Sequence, residues 1–445
     1  MTRALLVSTY ELGRQPFGLA SPAAWLRDAG VEVNCLDLSR ESFRPELAAA
    51  DLVAFHLPMH TATRLAVPVI RRVRELNPAA RLCCYGLYAP LNARFLRSLG
   101  VHDILGGEFE DELVRLAVER PARAADAALG EVPRLRFRVP DRSGLPPPSR
   151  YATLQHGSDR RVVGYTEASR GCKHRCRHCP VVPVYDGQFR VVPVEVVLDD
   201  IRAQVAHGVQ HVTFGDPDFF NGIGHAMRVV EGVAREFSGL TYDVTIKVEH
   251  LLRHGDRLDR LRATGCVLVT SAFEAFDDQI LAVLLKQHTR DDAHRAVARC
   301  REAGLALAPT FVAFTPWTTV EGYCDLLSEI DRLDLIDQVA SIQLAIRLLV
   351  PEGSRLLRLD GFRSRLGPFD SAQLAYPWRH HDPRVDELCD VVGQLVGRRL
   401  TASRREVFAE VWELAHERAG RSSRLRSSGA PERTEIPYLN EPWYC

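Results

Sequence analysis

The chain has 445 residues, enough for about two or three domains, and its 57 basic and 57 acidic residues give a formal net charge of zero. That balance gives no electrostatic reason to expect a nucleic-acid or membrane partner, and no uncharged run reaches the ~18 residues of a membrane helix. Eleven cysteines without a signal-peptide pattern favour reduced thiols, so we expect a cytoplasmic protein.

Residues 1–120 alternate short apolar runs with amphipathic ones. Strands are expected at 4–7, 31–38, 52–56, 81–86 and 101–105, with helices between them. This alternation predicts a doubly wound parallel sheet, and such sheets bind ligands at the carboxyl ends of their strands. His56, His60 and His102 lie near strand ends, and we interpret each as an ordinary loop or core histidine.

A linker is expected at 121–160, where alanine, arginine and proline dominate and 144–150 contains three consecutive prolines. The strand expected at 162–167 then leads into a cysteine motif, C-x3-C-x2-C, formed by Cys172, Cys176 and Cys179. Thiolates hold iron–sulfur clusters, and three of them can bind three corners of a [4Fe–4S] cube and leave the fourth iron open. The alternative is a zinc site that recruits His174 or His178, but no second ligand pair follows downstream.

Five more apolar runs, at 210–214, 243–249, 266–271, 305–314 and 341–347, alternate with helical patterns. With the strand before the cysteines they predict six βα units over 161–355, an open barrel with its functional loops at the carboxyl ends of the strands. Polar side chains follow these strands and are candidate cofactor-binding residues: Asp216, Asp218, Asn221, Lys247, Glu249, Glu274 and Arg347.

The remaining chain is expected to be a helical region at 356–420 and a flexible tail at 421–445. The tail ends in an aromatic and proline-rich segment, 436–445, whose last residue is Cys445.

The cysteine spacing and the six units resemble the radical S-adenosylmethionine (radical SAM) superfamily. The resemblance implies a partial (βα)6 barrel, a [4Fe–4S] cluster on the three cysteines, and SAM bound to the open iron through its amino and carboxylate groups. It further implies that Glu274 meets the ribose or amino group of SAM and that Arg347 clamps its carboxylate. The turn at 215–218 departs from the usual G-G-E-P form, which leaves the role of Asp216 open.

The layout of the first 120 residues ahead of the barrel resembles the B12-binding radical SAM class, and it implies a cobalamin-binding-like domain. The D-x-H-x-x-G motif of that class is missing, since Glu11-Leu12-Gly13-Arg14 follows the first strand. Cobalamin binding is therefore left open.

The last ten residues resemble those of CUAEP/CCAEP-tail radical SAM proteins, which continue past this cysteine with cysteine or selenocysteine. We hypothesise that the sequence stops at a selenocysteine codon read as a stop; the alternative is a natural terminus. Cys445 is the candidate catalytic thiol, because a pair of soft ligands would hold a thiophilic substrate.

The resemblance thus implies an enzyme that cleaves SAM reductively to act on a small molecule, with flavodoxin or ferredoxin as electron donor. The resemblance of the tail implies one reaction, transfer of the 3-amino-3-carboxypropyl group of SAM to trivalent arsenic, as in arsinothricin biosynthesis. The alternatives are a cobalamin-dependent radical SAM methyltransferase and, from another class, a non-catalytic metal- or ligand-binding protein.

Overall fold

The computed structural model describes residues 2–122, 124–126, 130, 132–422, 425 and 438–439. Two sheets and a short hairpin organise this part of the chain. The strands are β1 (Arg3–Ser8), β2 (Glu32–Asp37), β3 (Leu52–His56), β4 (Arg81–Tyr85), β5 (Asp103–Ile104), β6 (Thr153–His156), β7 (Asp159–Thr166), β8 (Ser169–Gly171), β9 (Phe189–Val191), β10 (His211–Phe214), β11 (Thr241–Thr245), β12 (Cys266–Glu274), β13 (Ala306–Phe311) and β14 (Tyr438–Leu439).

Helices separate most of these strands. The helices are α1 (Phe17–Asp28), α2 (His60–Leu76), α3 (Tyr88–Leu91), α4 (Ala93–Ser98), α5 (Glu110–Val118), α6 (Val181–Tyr185), α7 (Val194–Ala206), α8 (Ile223–Glu236), α9 (Val248–Arg253), α10 (Leu258–Ala263), α11 (Asp278–Leu284), α12 (Arg290–Glu302), α13 (Val320–Arg332), α14 (Pro383–Arg398) and α15 (Arg404–Arg418). No helix of the described residues is long and apolar enough to span a bilayer.

The first sheet is fully parallel, in the order β2-β1-β3-β4-β5. Its strands are apolar on both faces, as parallel strands covered by helices must be. Leu5 and Val7 pack into one buried cluster and Ala4 and Leu6 into the other, on the opposite face. The order reverses between β1 and β3, and ligands of such sheets bind at the carboxyl ends of those strands.

The second sheet has the order β13-β12-β11-β10-β7-β6-β14. Strands β7 and β10 to β13 are parallel, with helices between them, and form a curled half-barrel. Strand β6 pairs with β7 antiparallel, so the end of the expected linker is part of this sheet. Tyr438 and Leu439 extend it by pairing with Gln155 and Leu154.

The prediction of a sixth barrel strand at 341–347 is wrong. Residues Ser341–Leu344 form a 3-10 helix, and Arg347 makes only an isolated bridge to Phe314. The side-chain Oε1 of Gln343 accepts a hydrogen bond from the Phe311 amide at 2.9 Å. In a paired strand, a backbone carbonyl would accept this hydrogen bond. The third strand is also shorter than expected, and Lys247 and Glu249 lie at the start of α9.

Candidate functional site

The three cysteines lie on one loop between β8 and α6, at the carboxyl end of the second sheet. Cys176 is buried, Cys172 and Cys179 are partly buried, and none is in a disulfide. Burial raises the pKa of the Cys172 thiol to about 11 and that of the Cys179 thiol to about 12. The loop therefore holds its thiols away from water and needs cations beside it before they can ionise.

Two buried lysines supply that positive charge. Lys247 and Lys286 are 7% and 3% exposed, and both ammonium groups interact electrostatically with the Cys176 thiol. Cations next to thiols favour the thiolate that binds iron. Three thiols on a buried loop with two cationic neighbours therefore fit a cluster with three thiolate ligands.

Gly171 sets the entry to the cysteine loop. Its φ is +77°, and a Cβ there would lie 2.6 Å from the Gln188 carbonyl oxygen and 2.4 Å from the Tyr185 ring. Asn221, a predicted site residue, fixes the next step of the chain. Its Oδ1 accepts a hydrogen bond from the Lys173 amide at 3.3 Å and lies 3.8 Å from Cys172 Sγ.

Glu274 lies at the end of β12, where the pairing register with β13 shifts. Its φ is +66°, a strained backbone conformation for a residue with a Cβ. Its Oε1 accepts hydrogen bonds from His178 Nε2 and Lys286 Nζ, both at 3.0 Å. Burial raises the pKa of this carboxyl, but the Lys286 ammonium and the hydrogen bonds from Lys286 and His178 outweigh burial and hold it well below its usual range. Glu274 is thus an ionised carboxylate tied to the cysteine loop.

Asp216 lies just after β10 and is fully engaged by the start of β8. Its two carboxylate oxygens accept hydrogen bonds from the Ala168 amide at 2.9 Å and from the Ser169 hydroxyl at 2.5 Å. Burial raises its pKa to about 7, against these hydrogen bonds. In the structure this side chain holds the start of β8, the strand that leads into the cysteine loop.

Asp218 faces a second segment of the loop. Its Oδ2 lies 3.3 Å from His174 Nε2 and 2.7 Å from His250 Nδ1. Lys247 Nζ is 3.1 Å from His174 Nδ1, and Glu249 Oε2 is 3.6 Å from the same nitrogen. Burial raises the pKa of Asp218, but the two imidazoles hold it well below its usual range. Four of the predicted residues therefore lie close to positions 173–174 of the loop: Asp218, Asn221, Lys247 and Glu249.

Arg347 is placed differently from the other predicted residues. Its guanidinium donates to Asp386 Oδ1 at 2.8 Å, to the Trp378 carbonyl oxygen at 2.8 Å, and lies over the Trp378 ring. These contacts tie the barrel to α14 and its preceding segment. Cys445, the predicted catalytic residue, lies outside the described residues.

The carboxyl edge of the first sheet packs against the cysteine loop through Arg170. This buried guanidinium lies 3.3 Å from Glu108 Oε2, 2.8 Å from Glu110 Oε1 and 2.7 Å from Glu167 Oε2. Glu108 and Glu110 follow β5, whereas Arg170 is two residues before Cys172. Burial raises the pKa of Glu108 to about 7 although Arg170 lowers it. One arginine therefore joins the two domains directly at the cysteine loop.

Three polar atoms at the same edge have no hydrogen-bond partner among the described residues. They are Ser8 Oγ, Glu11 Oε2 and His56 Nδ1, which lie at or just after the ends of β1 and β3. Glu11 Oε2 and His56 Nδ1 are 3.4 Å apart. Buried polar groups are normally paired, so this edge offers polar contacts that a bound molecule can complete.

A cleft of about 540 Å³ lies at the opposite, amino-terminal edge of the first sheet, beside Asp51 and Arg120. Its arginines already have carboxylate partners, for example Arg81 with Asp103. It is remote from the cysteine loop, and we assign it no part in the site.

Sequence reasoning missed several residues that the structure brings to the cysteines: Arg170, His174, His178, His250 and Lys286. Two of the histidines were considered only as zinc ligands, yet His174 faces Asp218 and His178 faces Glu274. Lys286 did carry a signal, because it interrupts an apolar run that ends at Leu284-Leu285.

Comparison with known proteins gives a family match for the barrel: residues 166–318 match the radical SAM superfamily. The hopanoid C-3 methylase of Methylococcus capsulatus is 25% identical over 336 residues, covering 70% of this chain and 64% of that protein. The ribosomal protein uS12 methylthiotransferase RimO of Geobacter sulfurreducens is 23% identical over 261 residues, covering 53% of this chain and 58% of that protein. The chain thus spans less than two thirds of the length of these relatives.

Two solved structures share the fold of nearly the whole chain. OxsB, a cobalamin-dependent SAM radical enzyme solved with aqua-cobalamin, has a TM-score of 0.70 at 12% identity and covers 94% of this chain and 71% of its own. TsrM from Kitasatospora setae, a radical SAM methyltransferase solved with cobalamin and a [4Fe–4S] cluster, has a TM-score of 0.66 at 16% identity, covering 93% and 100%.

These likenesses confirm the predicted fold class, a doubly wound domain followed by a partial barrel and a helical region. The alternative of a non-catalytic binding protein is wrong, because the barrel belongs to an enzyme superfamily. Residues 166–318 form a radical SAM domain, and such domains use a [4Fe–4S] cluster and SAM.

Proposed function

We propose that this enzyme is a cobalamin-dependent radical SAM methyltransferase that acts on a small molecule. The observation that carries the proposal is the contact of Arg170 with Glu108 and Glu110. It sets the carboxyl edge of the first sheet, where such sheets bind ligands, directly against the cysteine loop. A methyl carrier at that edge would be next to SAM.

Cys172, Cys176 and Cys179 would hold the cluster, with Lys247 and Lys286 balancing the charge of the thiolates. When bound, the cluster supplies one electron to SAM, and cobalamin supplies a methyl carrier. The residues of the chain bind, orient and shield these groups. Glu274 is ionised and buried, so it is suited to accept hydrogen bonds from the amino or ribose groups of SAM.

Ser8, Glu11 and His56 would contact cobalamin at the edge of the first sheet, because their unpaired polar atoms lie there. The hopanoid methylase, OxsB and TsrM support the proposal by similarity of sequence or fold. The electron donor would be a flavodoxin- or ferredoxin-type protein. Transfer of an aminocarboxypropyl group to arsenic has no support from these relatives, and we do not propose it.

The test follows the methyl group of SAM. The enzyme is purified anaerobically, reconstituted with iron, sulfide and cobalamin, and given dithionite and SAM that carries a trideuteromethyl group. We expect the protein to retain cobalamin, and the label to appear in methylcobalamin together with S-adenosylhomocysteine. Mass spectrometry measures both products.

Two other outcomes would decide against the proposal. Failure to retain cobalamin would remove the methyl carrier. Methylthioadenosine as the product would show cleavage of the bond between sulfur and the aminocarboxypropyl carbon, and would indicate aminocarboxypropyl transfer. A C176A variant that retains cobalamin but lacks the cluster serves as the control for activity that does not need the cluster.

A further inference from the structure

Three buried side chains from three separate segments converge beside the cysteine loop. They are His174 in the loop, Asp218 after β10, and His250 in α9, which are 7%, 1% and 0% exposed. One ligand atom from each lies within 4.8 Å of the other two. None of the chemistry proposed above uses this group of residues.

The ligand atoms of this group approach one another closely but do not have the geometry of hydrogen bonds. Asp218 Oδ2 is 2.7 Å from His250 Nδ1 and 3.3 Å from His174 Nε2. Even so, none of the three atoms makes a hydrogen bond of acceptable geometry to a described residue. Asp218 Oδ1, in contrast, accepts from the amides of Phe220 and Lys247, so the carboxylate is fixed with Oδ2 turned towards the imidazoles.

The other ring nitrogen of His174 has polar neighbours on the opposite side. Nδ1 lies 3.1 Å from Lys247 Nζ, 3.4 Å from Gln287 Oε1 and 3.6 Å from Glu249 Oε2. Nε2, in contrast, faces Asp218 Oδ2 without a hydrogen bond to a described residue. Buried polar atoms are normally paired, so a cation bound between the imidazoles and the carboxylate would complete this site.

We propose that His174, Asp218 and His250 form a binding site for a divalent transition metal ion, distinct from the iron–sulfur cluster. Two imidazoles and one carboxylate are a donor set for zinc or ferrous iron. Bonds of about 2.0–2.2 Å to such ions place ligand atoms about 3.0–3.5 Å apart; the His174–Asp218 distance of 3.3 Å lies in that range, and the His250–Asp218 distance of 2.7 Å would lengthen slightly on binding. The Lys247 ammonium is nearby, but Glu249 lies 3.7 Å from it and offsets its charge.

The ion would tie the middle of the cysteine loop to β10 and α9. The test uses the reconstituted holoenzyme, dialysed against zinc and then against buffer under anaerobic conditions. We expect one tightly bound zinc per chain in addition to the cluster iron. X-ray absorption at the zinc edge should show nitrogen and oxygen neighbours near 2.0 Å and no sulfur near 2.3 Å.

Variants assign the ligands. D218N and H250Q should lose the zinc and keep the cluster iron, whereas H254Q should keep both. His254 is a matched control because it follows α9, next to His250, with its ring against Phe220 and outside the group of three. The proposal is overturned if the wild-type holoenzyme binds no zinc beyond trace amounts, if sulfur neighbours the zinc, or if H250Q retains it. The wild-type measurements decide even if a variant does not fold.

Discussion

Lys286 Nζ lies 3.0 Å from Glu274 Oε1, and both side chains are almost completely buried. This ion pair joins the strained end of β12 to the segment after α11, next to the cysteine loop. The two residues are only 12 positions apart, so the connection through α11 must turn back to bring them together.

The first prediction concerns this pair. K286M should destabilise the protein by about 3–5 kcal/mol, because it leaves the Glu274 carboxylate buried without its ammonium partner and with only the hydrogen bond from His178. The double variant E274Q/K286M should recover a large part of the loss, since it removes the unpaired charge. Urea denaturation followed by tryptophan fluorescence measures both. A double variant as unstable as K286M would contradict the explanation.

The second prediction is a pH dependence that originates at Glu108. Its pKa rises from 4.5 to about 7 on burial, so the unfolded chain loses this proton first as the pH rises. The free energy of unfolding should therefore fall between about pH 4.5 and pH 7, by up to about 3 kcal/mol from this group.

E108Q should flatten that part of the stability profile, measured by urea denaturation at several pH values. It should not abolish the slope, because the pKa of Asp216 is also raised to about 7. E119Q, at an exposed position after α5, should leave the profile unchanged. An unchanged profile in E108Q would show that this carboxyl is ionised throughout the range.

Much of the fold could be predicted from the alternation of apolar runs with helical patterns. Strands β1 to β5 and the barrel strands up to β13 lie within a few residues of their expected positions. The exception at 341–347 has a cause that lies outside the segment itself. Its apolar residues fit a strand or a buried turn equally well, and the choice depends on Gln343 reaching the Phe311 amide, a contact between residues 32 positions apart.

The site was predictable where side chains follow strands, and less so elsewhere. Asn221 approaches Cys172 and Glu274 approaches His178 of the same loop, because Asn221 and Glu274 follow parallel strands that end at one edge. Arg170 and Lys286 could not be assigned this way, because their roles depend on carboxylates brought near by folding. Arg347 has the chemistry to bind a carboxylate, but its described carboxylate partner is Asp386.

The third prediction tests the assignment of the cluster ligands. C172A, C176A and C179A should each lose most of the iron and sulfide and the charge-transfer absorption of the reconstituted protein, because each removes one thiolate. C300A is the matched control, since Cys300 is a free, buried cysteine in α12. Iron and sulfide analysis measures the outcome. Full iron and sulfide content in C176A would remove this cysteine from the set of ligands.

The fourth prediction concerns Gly171, where the chain enters the cysteine loop. A Cβ at this position would meet the Gln188 carbonyl oxygen at 2.6 Å, and backbone atoms cannot move aside as a flexible side chain can. G171A should therefore displace Cys172 and lower the iron content after reconstitution. Its cost should exceed the ~1 kcal/mol that a residue with a Cβ incurs at positive φ alone.

G208A separates the two effects. Gly208 has a φ of +87°, but a Cβ there would have no neighbour within 4 Å. This variant should lose about 1 kcal/mol of stability and keep its full iron content. The two variants are compared by their free energies of unfolding and by their bound iron. The difference between them gives the effect of the steric clash with the Gln188 carbonyl, apart from strain at positive φ. Equal iron content in the two variants would contradict the prediction. It would mean that a Cβ close to the Gln188 carbonyl oxygen does not displace Cys172.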